Sequence, residues 1–219
     1  MATVQQVACG QKCQEHVERR YPQTCWVSRM KIAITGHTKG LGAELVKLLE
    51  PDHEIMGFSR TNGYDIEQPG TIDRIVSDVS DCDIFINSAK CWWSQIDMFS
   101  KLLLDWQGKK KRIINVGSHV TVWNYKTDRP NFPKISANHY VAYKTALKAA
   151  SYHAWENNEW PLIHLVQPGP FVNTGFKPYP DRTWMETEQV AKAIVDSIIN
   201  SELLVMELTI RSYPKEPNA

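Results

Sequence analysis

The stretch ITGHTKGLG, residues 34–42, sets three glycines in nine residues between an apolar run, KIAIT (31–35), and a segment with helical spacing. Glycines where a first strand turns into a first helix let backbone approach a pyrophosphate, whose charge then faces the helix N–H groups and dipole. Glycine patterns also occur in ordinary turns, so the rest of the chain has to support that reading. Outward from the loop, short β-rich runs alternate with helical periods, the pattern of a parallel sheet covered by helices on both faces. Strands are expected at 31–35, 54–59, a very short one at 64–66, then 83–89, 112–118, 161–167 and 203–210, about seven in all. Helices are expected at 41–50, 70–80, 93–107, about 137–157, and 186–200, where TEQVAKAIVDSII spaces its apolar residues at three and four. The expected fold class is α/β, a doubly wound parallel sheet. Two stretches, 128–138 and 173–183, are long enough to be functional loops.

A chain of 219 residues, 42% of them hydrophobic, buries about 70% of its unfolded surface and suits one domain with an appendage. That domain is expected at 30–219, with MKIAITG from Met30 looking like a start in its own right and 1–29 as a poorly ordered or dispensable extension. Lys and Arg (25) nearly balance Asp and Glu (24), so no overall field draws in nucleic acid or an acidic membrane. The densest basic run, KKKR at 109–112, reads as a solvated helix end. No apolar stretch reaches membrane-spanning length and no export signal opens the chain, so a cytoplasmic protein is expected. The five cysteines do not read as a disulfide framework. Cys9, Cys13, His16 and Cys25 form only a loose ligand pattern, because the second cluster of a zinc site would be one residue, and no metal is expected.

The loop spacing, T-G-x-x-x-G-x-G from Thr35 to Gly42 with Leu41 inside it, resembles the short-chain dehydrogenase/reductase family, whose fold is the Rossmann sheet. The resemblance implies that Gly36, Lys39, Gly40, Leu41 and Gly42 hold a dinucleotide. The second strand ends GFSR, where an NAD enzyme would carry Asp or Glu for the ribose 2′-hydroxyl. Arg60 alone would pass for a surface residue. Together with Lys39 it suits the extra phosphate of NADP through charge-assisted hydrogen bonds, so NADP is expected over NAD. Asp65 resembles the family's acidic residue beside the adenine, and Asn87 and Ala89 its Asn-Asn-Ala-Gly, with Lys90 in place of the glycine.

Tyr140 and Lys144 form a Y-x-x-x-K pair that a helix sets on one face a turn apart. Such pairs arise by chance; this one opens the helix after the strand ending NVGS, which puts Ser118 where the family keeps its catalytic serine. The resemblance implies Tyr140 as general acid/base, Ser118 as hydrogen-bond donor to the same substrate oxygen, and Lys144 holding the nicotinamide ribose while lowering the phenol's pKa. PGPFVNT resembles the turn that carries the nicotinamide amide, through Pro168, Gly169, Val172 and Thr174, one residue longer than usual. Tyr143 reads only as a packed helix residue.

Four departures stand out. No room remains between Arg60 and Tyr64 for the family's second helix, as in its sugar-nucleotide reductases. The segment 91–111 lacks the Asn that many members use in a proton relay, with Gln95 a weak substitute. The Ser118 to Tyr140 interval is long, and the lid after Thr174 is short. Phe176, Tyr179, Trp184, Trp123 and Phe132 read equally as an aromatic substrate wall or as core or subunit-contact residues, while Trp92, Trp93 and Trp106 read as core or dimer packing. The function expected is an NADP-dependent oxidoreductase acting on a small-molecule carbonyl or alcohol, as a homodimer or homotetramer. The alternatives are a non-catalytic NADP-binding sensor and a sugar-nucleotide reductase or epimerase.

Overall fold

A computed structural model describes residues 29–121, 134–172, 184–201 and 203–212, with backbone alone at 134–137. Six strands form one sheet: β1 (Lys31–Thr35), β2 (Glu54–Phe58), β3 (Ile84–Asn87), β4 (Arg112–Val116), β5 (Leu162–Pro168) and β6 (Glu207–Ile210). Their order is β2-β1-β3-β4-β5-β6, and every pairing is parallel. Strands β3 and β4 are buried at every position, as expected for apolar runs covered on both faces. The order reverses between β1 and β3, and the crevice outside their carboxyl ends is where such sheets bind ligands.

Among the described residues five α-helices cover the sheet: α1 (Gly40–Leu49), α2 (Thr71–Asp78), α3 (Ser94–Asp105), α4 (Lys134–Asn157) and α5 (Thr187–Ile194). Alternation along β1 divides the core. Ile32 and Ile34 pack with Leu41, Leu45 and Leu49 of α1 and Val190 and Ile194 of α5, whereas Ala33 faces Ile75, Phe99, Leu102, Trp106 and Leu147 of the other layer. The expected helix 186–200 ends differently: α5 passes into a π-helical turn, Val195–Ile199, and the buried Arg112 donates to the carbonyls of Ile198 (3.0 Å) and Ile199 (3.4 Å). These bonds satisfy acceptors that a helix end leaves orphaned.

One expectation needs correction. The short strand at 64–66 does not form, so the described sheet has six strands rather than about seven. After β2 the chain makes a 3-10 turn, Arg60–Asn62, and reverses at Gly63 in the left-handed region. Tyr64 is thereby turned onto α2, donating to Asp78 Oδ2 (2.7 Å) under the Arg74 guanidinium, 4.2 Å from its ring centroid, and edge-on to Phe58. The three tryptophans read as core or dimer packing divide between those two readings: Trp106 is core, whereas Trp92 and Trp93 are 41% and 55% exposed. The stretch Cys9 to Cys25 and residues Trp123, Phe132, Phe176 and Tyr179 lie outside the described residues. Among the described residues no group of His, Cys, Asp or Glu could hold a metal, and no helix is long and apolar enough to cross a membrane.

His164 on β5 gives the fold a pH dependence. It is buried, its Nδ1 lies 2.6 Å from the Val205 carbonyl, and its Nε2 has no partner. Burial pushes its pKa down to about 4, with Arg112 adding to the effect. The native state therefore keeps the imidazole neutral while the unfolded chain takes up a proton below its ordinary 6.5, so stability is lost as pH falls from there toward 4. The loss attributable to His164 approaches roughly 3 kcal/mol at the lower end. Urea unfolding across this window should show a smaller pH slope for His164→Leu than for the wild type; equal slopes would refute the assignment.

Candidate active site

The glycine loop leaves β1 and is tied to both neighbouring strands. Gly36 has φ +72° and its N–H donates to the Phe58 carbonyl (2.8 Å). A Cβ on Gly36 would stand 3.1 Å from Ala89 Cα, and one on Gly42 would stand 2.3 Å from the Gly36 carbonyl oxygen, so the loop closes only without side chains there. Thr35 links the loop to β3, its hydroxyl oxygen accepting from the N–H groups of Ser88 (3.0 Å) and Ala89 (3.1 Å). Helix α1 then starts after Lys39 with no side-chain cap and no acid in its first turn. Its first N–H donors and positive dipole end face the crevice, an arrangement that can hold a pyrophosphate.

At the end of β2 the acid expected for an NAD enzyme is absent and the chain offers other groups. Asn62 closes the turn, accepting from Ser59 N–H (2.8 Å) and donating to the Gly57 carbonyl (2.8 Å). The Ser59 and Thr61 hydroxyls meet at 2.7 Å on either side of Arg60, whose side chain is exposed, as is that of Lys39. Sequence reasoning passed over these hydroxyls and His37. The His37 imidazole lies over Gly57, where a Cβ would come within 2.4 Å of the ring, and its buried Nδ1 has no partner. Asp65 is half-buried and its carboxylate accepts from Glu67 N–H (3.2 Å) in the turn before α2.

Behind the ends of β3 and β4 runs a buried polar network. Asn87 donates to the Gln95 carbonyl (2.9 Å) and to Asn115 Oδ1 (3.0 Å), and Asn115 donates to Ser151 Oγ (3.0 Å). Gln95 Nε2 donates to the carbonyls of Asn87 (2.8 Å) and Val116 (3.0 Å). Its Oε1 accepts from Lys144 Nζ (2.7 Å), which also donates to the Val116 carbonyl (2.7 Å). The residue read as a weak substitute thus touches the motif lysine directly. Burial, with Lys90 adding to it and Cys91 opposing, pushes Lys144 down to about 7.

Tyr140 lies a turn before Lys144 on α4, half-buried, its ring edge-on to Tyr143 at 5.3 Å between centroids. Tyr143 is fully buried, in line with its reading as a packing residue, and meets Trp92 at 5.5 Å. Trp92 has φ +48°, a conformation that strains a bulky side chain and collects at functional sites. Cys91 beside it is pushed up to about 12 by burial and stays a thiol. Ser118 follows β4, its Oγ accepting from Val120 N–H at 3.4 Å, and the next turn, His119–Thr121, packs on α4. At the end of β5, the Gly169 N–H donates to the Ile210 carbonyl (2.8 Å), so Pro168 and Gly169 are anchored to β6, while the Val172 N–H donates to the Met185 carbonyl (3.0 Å) and its carbonyl accepts from the Thr187 hydroxyl (2.9 Å). Thr174 lies outside the described residues.

No family profile and no curated protein matches the sequence. Solved structures do. A short-chain dehydrogenase from Burkholderia cenocepacia J2315 in complex with NADP superposes with a TM-score of 0.66 at 16% identity, over 85% of this chain and 90% of that one. A blue fluorescent protein from a metagenomic library in complex with NADPH gives 0.64 at 16% identity, over 84% and 97%. The 3-alpha-hydroxysteroid dehydrogenase of Pseudomonas sp. B-0831 complexed with NADH gives 0.62 at 17% identity, over 82% and 94%. At such identities the likeness is one of fold, and the chain has the Rossmann fold in the arrangement of the short-chain dehydrogenases/reductases.

Proposed function

We propose that the chain is an NADP-dependent oxidoreductase of the short-chain type, interconverting a small-molecule carbonyl and the corresponding alcohol. The observation that carries this is the placement of Lys144. Its nitrogen is fixed by two 2.7 Å bonds at the carboxyl edge of β4, one helical turn after Tyr140 and next to the strand end that leads into Ser118. A glycine cradle that a Cβ would fill, an uncapped helix start and the orphaned His37 Nδ1 support a dinucleotide at the neighbouring strand ends.

NADPH, when bound, supplies the hydride that reduces the carbonyl carbon. Tyr140 gives its phenolic proton to the carbonyl oxygen and is left as phenolate, while the Ser118 hydroxyl donates a hydrogen bond to the same oxygen and fixes it. With a pKa near 7, Lys144 is partly charged at neutral pH, and its ammonium, one helical turn from Tyr140, favours the phenolate. In the oxidative direction the same groups run in reverse. Exposed Trp93 and Leu104 lie at the two ends of α3, and association through this helix, as a homodimer or homotetramer, belongs to the proposal, as does a cytoplasmic location. Residues 30–219 are proposed as the working domain.

The cofactor preference rests on Lys39 and Arg60 with the Ser59 and Thr61 hydroxyls, and on the absence of an acid at the end of β2. Arg60→Ala should weaken NADPH binding about ten- to a hundredfold and NADH binding less than about twofold, the value of losing hydrogen bonds to a charged phosphate. Energy transfer from tryptophan to the bound nicotinamide reads both. Equal losses would remove Arg60 from the 2′-phosphate site.

A further inference from the structure

Lys90 stands where the family pattern has a glycine, and the reaction as derived above does not use it. It follows β3 in the segment Ser88–Trp93, its side chain is exposed, and its Nζ lies 5.6 Å from the Tyr140 ring centroid. Tyr143 also packs on that ring, edge-on at 88°. A cation over a phenol face is held by the ring quadrupole, and a charge at this range also stabilises the phenolate through space.

Charged and titratable groups reach Tyr140 from two elements among the described residues. From its own helix come His139, exposed and adjacent in sequence, Tyr143, and Lys144 one turn on. From the segment after β3 come Lys90 and Cys91. Burial raises the Tyr143 and Cys91 hydroxyl and thiol, so neither contributes charge at neutral pH. Lys144 is turned toward Gln95 and the Val116 carbonyl and is only partly charged near pH 7. The ammonium over the ring itself is that of Lys90.

We infer that Lys90 is a positioning residue for Tyr140: its ammonium packs on the phenol face, fixes the ring against Tyr143, and supplies positive field that favours the phenolate. Deprotonation of Tyr140 therefore does not depend on Lys144 alone. The inference rests on the proposed role of Tyr140 for its meaning in catalysis, but the interaction itself can be measured without cofactor or substrate.

The test is titration of the protein carrying tyrosine labelled with carbon-13 at Cζ, with the Tyr140 signal identified by its loss in Tyr140→Phe. In Lys90→Met the ratio of phenolate to phenol at a given pH should fall about three- to tenfold, and Lys90→Arg should restore it. Lys90→Gln serves as a second neutral variant; the side chain is exposed, so neither change touches the core. A Lys90→Met titration identical to the wild type overturns the inference, as does Lys90→Arg behaving like Lys90→Met. Failure of NADPH to bind would sink the proposed function and leave this result standing. Wild-type titration in Lys90→Met with NADPH binding intact would sink Lys90 alone.

Discussion

Tyr140→Phe removes NADPH-linked turnover by about two to four orders of magnitude while NADPH affinity stays within about twofold. The substitution keeps the ring that packs edge-on against Tyr143 and under the Lys90 ammonium, so the helix and the site retain their shape. Only the hydroxyl is lost, and with it the acid that protonates the carbonyl oxygen. Ser118 is still able to donate a hydrogen bond, and Lys144 remains anchored to Gln95 and the Val116 carbonyl, so residual activity measures what orientation alone contributes. The decrease in NADPH absorbance over a panel of ketones and aldehydes, paired with a binding titration, separates the two effects. Turnover that survives unchanged would mean another group carries the proton.

Gln95→Leu is the second large effect, and it falls on stability and the site together. The amide satisfies two strand-end carbonyls, those of Asn87 and Val116, and accepts from Lys144. Leucine fills much of the volume but leaves the Asn87 carbonyl short of a donor and the buried ammonium with one acceptor fewer. Stability should fall by about 3 to 5 kcal/mol, readable from urea unfolding, because buried groups lose partners rather than exchange them. Gln95→Glu is the informative companion. A carboxylate facing Lys144 favours the ammonium, so the pH at which Lys144 loses its proton should rise and the pH profile of turnover should move upward with it. A Gln95→Leu protein as stable as the wild type would contradict the network.

Much of this was legible in the chain because it depends on local order. Alternating β-rich and helical runs gave the parallel sheet, and the loop from Thr35 to Gly42 needs its glycines for contacts within a few residues or to adjacent strands. The spacing of Tyr140 and Lys144 follows from one helix. What stayed hidden is set by contacts across the fold. Gln95 and Lys144 are 49 positions apart, and nothing in α3 alone shows that Gln95 turns inward to face α4. Trp92, Trp93 and Trp106 look alike in composition, yet a turn with positive φ at Trp92 leaves the first two at the surface and the third in the core. Tyr64 has the β propensity of a strand residue, but Gly63 reverses the chain and the Asp78 carboxylate holds the phenol on α2. The His37 ring over Gly57 needs the register of β1 with β2 before it can be seen.

The measurement closest to the central claim is titration of the purified wild-type chain with NADPH and with NADH, followed through energy transfer from its tryptophans. Lys39 in the glycine loop, with Arg60, Ser59 and Thr61 at a β2 end without an acid, predicts saturable binding of NADPH, tighter than NADH by about tenfold or more. Binding of neither nucleotide would contradict the account, leaving a Rossmann sheet with no dinucleotide to hold.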